Sequence, residues 1–250
     1  MIPCFRPTAN IKETLAFLLD VVKTPQQSRE AVKEFEKQFC IYQNCSHSIF
    51  VPSGRMALWL ILKAFDYPQG SEIILPAFTF FAIPALIKHL GLIPVYADVD
   101  NNTYVLSAKS VQKVISPKTK AVIPTHLFGR TCEMDQLQKI CKDNNIDIIE
   151  DCAQALGAEI GDTKAGNIGR AAYFTFGITK NFTTFSGGMV ICQEETIFKQ
   201  MQELIAEFHA PQKSALFKQG ITALAMRIAT SRPVFNISLN PILRLASGEK

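Results

Sequence analysis

The chain lacks the marks of several large protein classes. It has no Cys-x-x-Cys pair and no histidines grouped at metal-ligand spacing, although seven cysteines and four histidines are present. The cysteines (Cys4, Cys40, Cys45, Cys132, Cys141, Cys152 and Cys192) are odd in number and lie in apolar stretches. That pattern reads as free, buried thiols in a reducing compartment, with no metal site and no disulfide framework. No run of about 18 uncharged apolar residues occurs, so no spanning helix is expected. The first residues, MIPCFRPTANIKETLAFLLDVV, do not offer a basic stretch, a long apolar core and a small-residue cleavage site in that order. They do not read as a signal peptide, and a cytoplasmic location is expected. Charge is scarce too, at 19% of residues with a net +4, and both signs are scattered through the first 200 residues. Without a concentrated basic face, no nucleic-acid partner is expected. Internal repeats and low-complexity segments are also missing.

What is there is apolar. Hydrophobic residues make up 48% of the 250, too many for a disordered chain and enough for one large domain or two small ones. Short β-branched or aromatic runs recur at 48–51, 72–75, 94–97, 121–124, 147–150, 173–176 and 189–192. Several are apolar on consecutive residues, as strands covered on both faces are. Helical patterns fall between them at Met56 to Phe65, Phe81 to Leu90, Ala108 to Val114 and Met134 to Asn144, with Ser107 placed to cap the third. Strands alternating with helices predict an α/β domain on a mostly parallel sheet, in which ligands bind beyond the carboxyl ends of the strands.

The pattern changes near residue 200. From Phe208 to Gly248 there is no Asp or Glu, whereas Lys213, Lys218, Arg227, Arg232 and Arg244 are present. Ala215 to Ile228 has the spacing of an amphipathic helix, and Pro233 and Pro241 interrupt the stretch beyond it. Residues 1–200 therefore read as the main domain with an N-terminal helical segment, and 201–250 as a basic helical tail. An acid-free amphipathic tail suits either a missing partner domain or contact with an anionic membrane surface through 209–250.

The strand ends carry the chemistry. Pro52-Ser53-Gly54-Arg55 leads from the first strand directly into a helix, so free N–H groups stand where an anion can sit. Pro76-Ala77-Phe78-Thr79-Phe80 puts aromatics at the same rim. Glu150-Asp151-Cys152-Ala153-Gln154 ends another strand in carboxylates. Taken alone, Asp151 reads as a cap for a following helix, because a buried acid is costly without donors. Gly177-Ile178-Thr179-Lys180-Asn181 supplies a lysine. An anion cradle, a flat aromatic, a carboxylate and a lysine at one sheet edge are what pyridoxal phosphate needs for its phosphate, ring, ring nitrogen and aldehyde.

The stretches VPSGRMALWLILKAF, GSEIILPAFTFFA, GLIPVYADVDNNTYVLS, SPKTKAVIPTHLFGR, IDIIEDCAQALGA, GNIGRAAYFTFGITKN and SGGMVIC together resemble the DegT/DnrJ/EryC1/StrS sugar aminotransferases of fold type I. The resemblance implies the large domain of that fold, a mostly parallel seven-stranded sheet with helices on both faces. It implies pyridoxal 5'-phosphate as cofactor. Lys180 matches the lysine that joins the cofactor's aldehyde and then moves protons. Asp151 matches the partner of the ring nitrogen, Gln154 the glutamine near the ring oxygen, and Phe80 the aromatic on the ring. Ser53, Gly54 and Arg55 fall on the phosphate segment, and Thr175 stands where the family has a phosphate-binding serine. Arg55 departs from the usual threonine. It reads equally as a phosphate contact or a solvent-facing residue of the helix's first turn.

A lysine rather than histidine at 180 points away from the family's dehydratase branch. The resemblance implies transfer of an amino group, from glutamate, to a keto group of a nucleotide-linked sugar, in surface-polysaccharide or amino-sugar synthesis, by a homodimer. Members continue into a small C-terminal domain with an Asn-Tyr-Arg segment that this sequence does not show. The competing expectation is a shortened, non-catalytic or regulatory relative.

Overall fold

The computed structural model describes residues 7–21, 25–206, 208 and 212–239. They fall into two compact units, Glu30–Thr175 with Gly187–His209, and Met1–Arg29 with Phe176–Ser186 and Ala210–Lys250.

The larger unit is built on a seven-stranded sheet in the order β1-β9-β8-β5-β4-β2-β3. The strands are β1 (His47–Val51), β2 (Glu72–Pro76), β3 (Ile93–Ala97), β4 (Thr119–Val122), β5 (Asp147–Asp151), β8 (Ala171–Thr175) and β9 (Gly188–Cys192), with β6 (Glu159–Ile160) and β7 (Thr163–Lys164) forming a separate small hairpin. All pairings in the large sheet are parallel except those of β9, which runs antiparallel to β1 and to β8. The carboxyl ends of the other strands therefore share one edge. The seven apolar runs of the sequence are these seven strands, each within a residue or two of its expected bounds.

Alternation across the pleat explains why the runs are apolar on consecutive residues. Ile73, Leu75, Ala121, Ile123 and Ile149 face one side, where Leu58, Ile61, Ile87 and Met201 cover them. Ile74, Val122 and Ile148 face the other, against Val111, Leu137 and Cys141. The first layer comprises α3 (Gly54–Phe65), α4 (Ala82–His89) and α7 (Glu195–Ala206), the second α5 (Ala108–Val114) and α6 (Met134–Asp143). Helix α3 buries seven of its residues, among them Leu58, Leu60 and Ile61. A truncation such as Leu58→Ala costs about 2–5 kcal/mol. Ser107 departs from expectation. It stands at the N-cap of α5, but its side chain makes no capping bond. Its carbonyl accepts the Ser110 and Val111 N–H groups at 3.0 Å.

Strand β1 is an edge of the sheet, and α2 (Pro25–Gln43) blocks it. The Phe50 N–H donates to the Glu36 carboxylate at 2.7 Å, and Ser48 Oγ donates to the Glu36 carbonyl at 2.9 Å. Occupying the Phe50 N–H takes one edge donor away from strand addition. Burial raises the Glu36 carboxyl above its ordinary pKa, against the lowering effect of the Phe50 N–H.

In the smaller unit, α1 (Ile11–Asp20) packs on α8 (Lys213–Ala229), which contains the helix expected at 215–228. Asn10 and Glu13 form a reciprocal capping box at the start of α1. Phe17 stacks on Phe185 with ring centroids 4.3 Å apart, and Arg227 donates to the Pro7 carbonyl at 2.6 Å. Pro233 lies within a single helical turn, Arg232–Val234, that runs into a wide turn at Phe235–Leu239. Cys4, Pro241, Arg244 and parts of the basic tail (209–211 and 240–250) lie outside the described residues. The six described cysteines are free thiols. Among the described residues, no helix is long and apolar enough to cross a membrane.

Candidate active site

The carboxyl edge of the sheet gathers most of the residues singled out in the sequence. After β1 the chain bridges at Ser53 to Gly187 and turns into α3. Ser53 is the N-cap of that helix, its Oγ accepting the Met56 N–H at 3.2 Å. The first N–H groups of a helix have no partner within it, which leaves those of Gly54 and Arg55 pointing out of the helix start. This corner is built to a tolerance that only glycine meets. A Cβ on Gly54 would lie 2.0 Å from Thr175 Cγ2, and a Cβ on Gly188 would lie 2.8 Å from Gly54 N, Ser53 C and Phe174 O. Ser53, Gly54 and Thr175 are thus brought together by the meeting of β1, β9 and β8, in which Gly188 pairs with both Val51 and Thr175. Thr175 Oγ1 donates to the Ala153 carbonyl at 3.3 Å, which joins this corner to the loop after β5.

Asp151 ends β5 and is 3% exposed. One carboxylate oxygen accepts the Ala153 N–H at 3.0 Å and the other faces Thr125 Oγ1 at 3.4 Å. No helix follows β5. Asp151 therefore does not cap one, but closes a turn on its own backbone, as aspartate does two residues ahead of itself. Its register partner on β8 is Tyr173, which shares its face of the sheet. Burial, and next the Asp151 charge, push the Tyr173 phenol well above its ordinary pKa. The phenol stays protonated beside the carboxylate.

Beneath Asp151 lies a network in which no sequence motif marked a role. Glu150 is fully buried. One of its oxygens accepts the N–H groups of Ile168 (2.7 Å) and Gly169 (2.6 Å), the other that of Gly166 (2.8 Å) and His126 Nε2 (3.0 Å). The Cys132 N–H donates to His126 Nδ1 at 3.1 Å, which assigns the ring proton to Nε2 and leaves the imidazole neutral. His126 N in turn donates to the Asp151 carbonyl at 3.0 Å. Glu150, His126 and Cys152 present ligand atoms within 4.8 Å of one another. The carboxylate and imidazole lone pairs are already engaged by N–H groups, however, and burial, then Glu150 and Asp151, hold the Cys152 thiol protonated. The trio is a structural brace. The sequence signal was a carboxylate following the buried Ile148-Ile149 pair within Asp-Ile-Ile-Glu-Asp, which has to meet strong donors.

The remaining expected residues are more scattered. Phe80 is 57% exposed on the same edge beyond β2, which β4 separates from β5, and its ring lies 4.7 Å from that of Phe81. Gln154 is exposed, and its carbonyl accepts the Gly129 N–H at 2.9 Å. Arg55 is exposed on the first turn of α3, in keeping with the solvent-facing alternative. Lys180 belongs to the smaller unit, half-buried, its N–H donating to the Gly177 carbonyl at 2.9 Å and its carbonyl accepting from Thr8 Oγ1 at 3.1 Å. The donor set of the larger unit fits pyridoxal 5'-phosphate. A helix start with two outward N–H groups, flanked by two hydroxyls, suits a phosphate. A buried carboxylate held by N–H and O–H donors suits a protonated ring nitrogen.

The profile of the DegT/DnrJ/EryC1/StrS aminotransferase family matches residues 10–231. The chain is 33% identical over 199 residues to GDP-perosamine synthase of Escherichia coli O157:H7, covering 79% of this chain and 54% of that one. It spans about half the length of the curated relatives it matches. The crystal structure of DesI in the presence of its TDP-sugar product superposes with a TM-score of 0.73 at 28% identity, over 89% of this chain and 60% of that one. The PLP form of Spr1654 of Streptococcus pneumoniae shares the fold, with a TM-score of 0.72 at 24% identity, over 92% of this chain and 68% of that one. On the length of the profile match and the identity to these relatives, the chain belongs to the DegT/DnrJ/EryC1/StrS aminotransferase family.

Proposed function

We propose that this protein is a pyridoxal-phosphate-dependent aminotransferase that moves an amino group from glutamate to a keto group of a nucleotide-linked sugar. The observation that carries the reading is the glycine-only corner of Ser53, Gly54 and Thr175 at the start of α3, joined through Ala153 to the buried Asp151. When bound, the cofactor supplies an electron sink that lets the amino group leave one carbon and join another. The phosphate would be held by the Gly54 and Arg55 N–H groups, by the Ser53 hydroxyl and, on turning from the Ala153 carbonyl, by the Thr175 hydroxyl. Asp151 would hold the proton on the ring nitrogen, with the Ala153 N–H and Thr125 hydroxyl fixing its carboxylate in place. Phe80 offers an apolar face to the ring, and Gln154 a hydrogen bond to its oxygen substituent. Lys180 would hold the cofactor by its aldehyde through Nζ, and the same amine would carry a proton as general acid and base.

GDP-perosamine synthase, by its name, and DesI, solved in the presence of its TDP-sugar product, support that substrate class here. A place in polysaccharide synthesis finds support in the 34% identity to the spore coat polysaccharide biosynthesis protein SpsC of Bacillus subtilis. We take the protein to work in the cytoplasm as a homodimer. The test is amino transfer from glutamate to nucleotide-linked 4-keto and 3-keto sugars by the purified protein, read as 2-oxoglutarate release. Lys180→Ala is expected to abolish it. Undiminished release by that variant would refute the reading, and tight cofactor binding without release would favour the non-catalytic alternative.

A further inference from the structure

Strand β8 carries a hydroxyl where packing asks for none. Tyr173 lies in the apolar layer with Ile149, Ala171 and Val190, beneath α3, and is fully buried. A phenylalanine would fill the same space. Register fixes its neighbours, Asp151 of β5 on one side and Val190 of β9 on the other. The Cys152 N–H donates to the Tyr173 carbonyl at 2.9 Å, which locks the β5 side in place. Among the described residues, the Tyr173 hydroxyl has no well-aligned hydrogen bond. A buried donor left in that state is costly, so the hydroxyl calls for an acceptor.

Asp151 is the acceptor within its reach. After burial itself, the Asp151 charge and hydrogen bonding to that carboxylate do most to keep the phenol protonated, and so a donor. Ile149, Ala171 and Val190 offer no side-chain acceptor, and the protonated Cys152 thiol is a weak one. The carboxylate has room to turn toward the phenol, because its contact with Thr125 Oγ1, at 3.4 Å, is long for an O–H···O bond. What a further donor does there follows from burial. A carboxylate out of water favours taking up a proton unless donors stabilise its charge. Opposite a ring nitrogen it competes for one proton. On the carboxylate, that proton leaves the nitrogen neutral and weakens the electron sink; on the nitrogen, it strengthens it. We propose, on the aminotransferase reading of Asp151, that Tyr173 is a positioning residue whose hydroxyl donates to Asp151 and so sets the proton on the cofactor's ring nitrogen.

The test loads the purified protein with pyridoxal 5'-phosphate labelled with nitrogen-15 in the ring and reads the nitrogen's chemical shift by magnetic resonance. The parent protein is expected near the protonated value. Tyr173→Phe removes one hydrogen bond to a charged group, so the balance of the proton between nitrogen and carboxylate is expected to move at least about tenfold toward the carboxylate. The averaged shift then moves toward the unprotonated value. Thr125→Val, which removes another hydroxyl from the same carboxylate, is expected to move it in the same direction. A protonated parent with an unchanged shift in Tyr173→Phe overturns the proposal alone. So does a Tyr173→Phe protein whose urea midpoint moves while the nitrogen does not, which would mark a packing residue. If the parent binds no cofactor, or binds it with an unprotonated nitrogen, the reading of Asp151 fails and the proposal with it. The parent gives a second measurement that needs no folded Tyr173→Phe. A slowly exchanging, downfield hydroxyl proton is expected, moving upfield in Asp151→Asn, and its absence overturns the proposal.

Discussion

Replacing Glu150 by glutamine changes one atom of a fully buried side chain and leaves its volume alone, so the effect isolates hydrogen bonding. In the parent protein both oxygens are acceptors, each taking two N–H donors: Ile168 and Gly169 on one, Gly166 and His126 on the other. A glutamine keeps one oxygen. Its amide NH2 must then face two N–H groups whichever way the side chain is flipped. His126 has no easy escape, because moving its proton to Nδ1 would set that atom against the Cys132 N–H. Two charge-assisted bonds are lost, each about 1.5–3 kcal/mol, and two buried donors are left without acceptors. The expected destabilisation is about 3–5 kcal/mol, a large part of a typical 5–15 kcal/mol total. Urea unfolding followed by circular dichroism measures it through the midpoint at constant slope. Hydrogen exchange adds a local signature, faster exchange at Gly166, Ile168 and Gly169. A midpoint shift worth less than about 1 kcal/mol, or unchanged exchange at those amides, would refute the account of Glu150 as the brace beneath Asp151.

Gly188→Ala forces a Cβ against three backbone atoms at 2.8 Å, so it is expected to cost about 1–3 kcal/mol and to displace the start of α3. Isothermal titration should show pyridoxal phosphate affinity falling at least tenfold, and unchanged affinity would separate this corner from the phosphate. Arg170 binds Glu194 at 2.7 Å and Asp147 at 3.1 Å, and its hydrogen bond holds the Glu194 carboxyl below its ordinary pKa of 4.5. A carboxyl lowered in the folded state contributes stability above its unfolded pKa and loses it as pH falls through the folded value. Arg170→Gln should therefore destabilise by less than about 1 kcal/mol at pH 7, since the pair is partly exposed, and by progressively less below pH 4.5. A constant difference between the two proteins from pH 7 to pH 3 in thermal melts would contradict it.

The strands were legible because burial on both faces leaves little freedom in composition: Ile73-Ile74-Leu75 and Ile148-Ile149 have no polar side to show. The helices outside that alternation were harder to read. Helix α2 turns Phe35, Phe39 and neighbours toward the sheet and is largely polar elsewhere, and α7 buries little beyond Ile197 and Met201. The capping box of Asn10 and Glu13 was in the sequence and marked α1 for anyone reading caps before apolar runs. Site residues that lie beside each other in sequence, Ser53 with Gly54 and Glu150 with Asp151, could be read in place. The union of Gly188 with Gly54, or of Glu150 with His126 and the 166–169 loop, depends on strand order. Strand order places residues far apart in sequence side by side, and no local pattern records it. The same limit explains Ser107 and Asp151, both read as caps from their neighbours. Backbone carbonyls at the start of α5, and the absence of a helix after β5, assign them other work.

The central claim is a cofactor site centred on Lys180, and one measurement addresses it directly. Purified protein is mixed with pyridoxal 5'-phosphate, its absorption spectrum is recorded before and after borohydride, and the reduced protein is mapped by peptide mass spectrometry. The account predicts a visible band that borohydride abolishes, with the reduced cofactor on Lys180 and not on the other lysines. No band, or label spread over surface lysines such as Lys118 and Lys139, would contradict it.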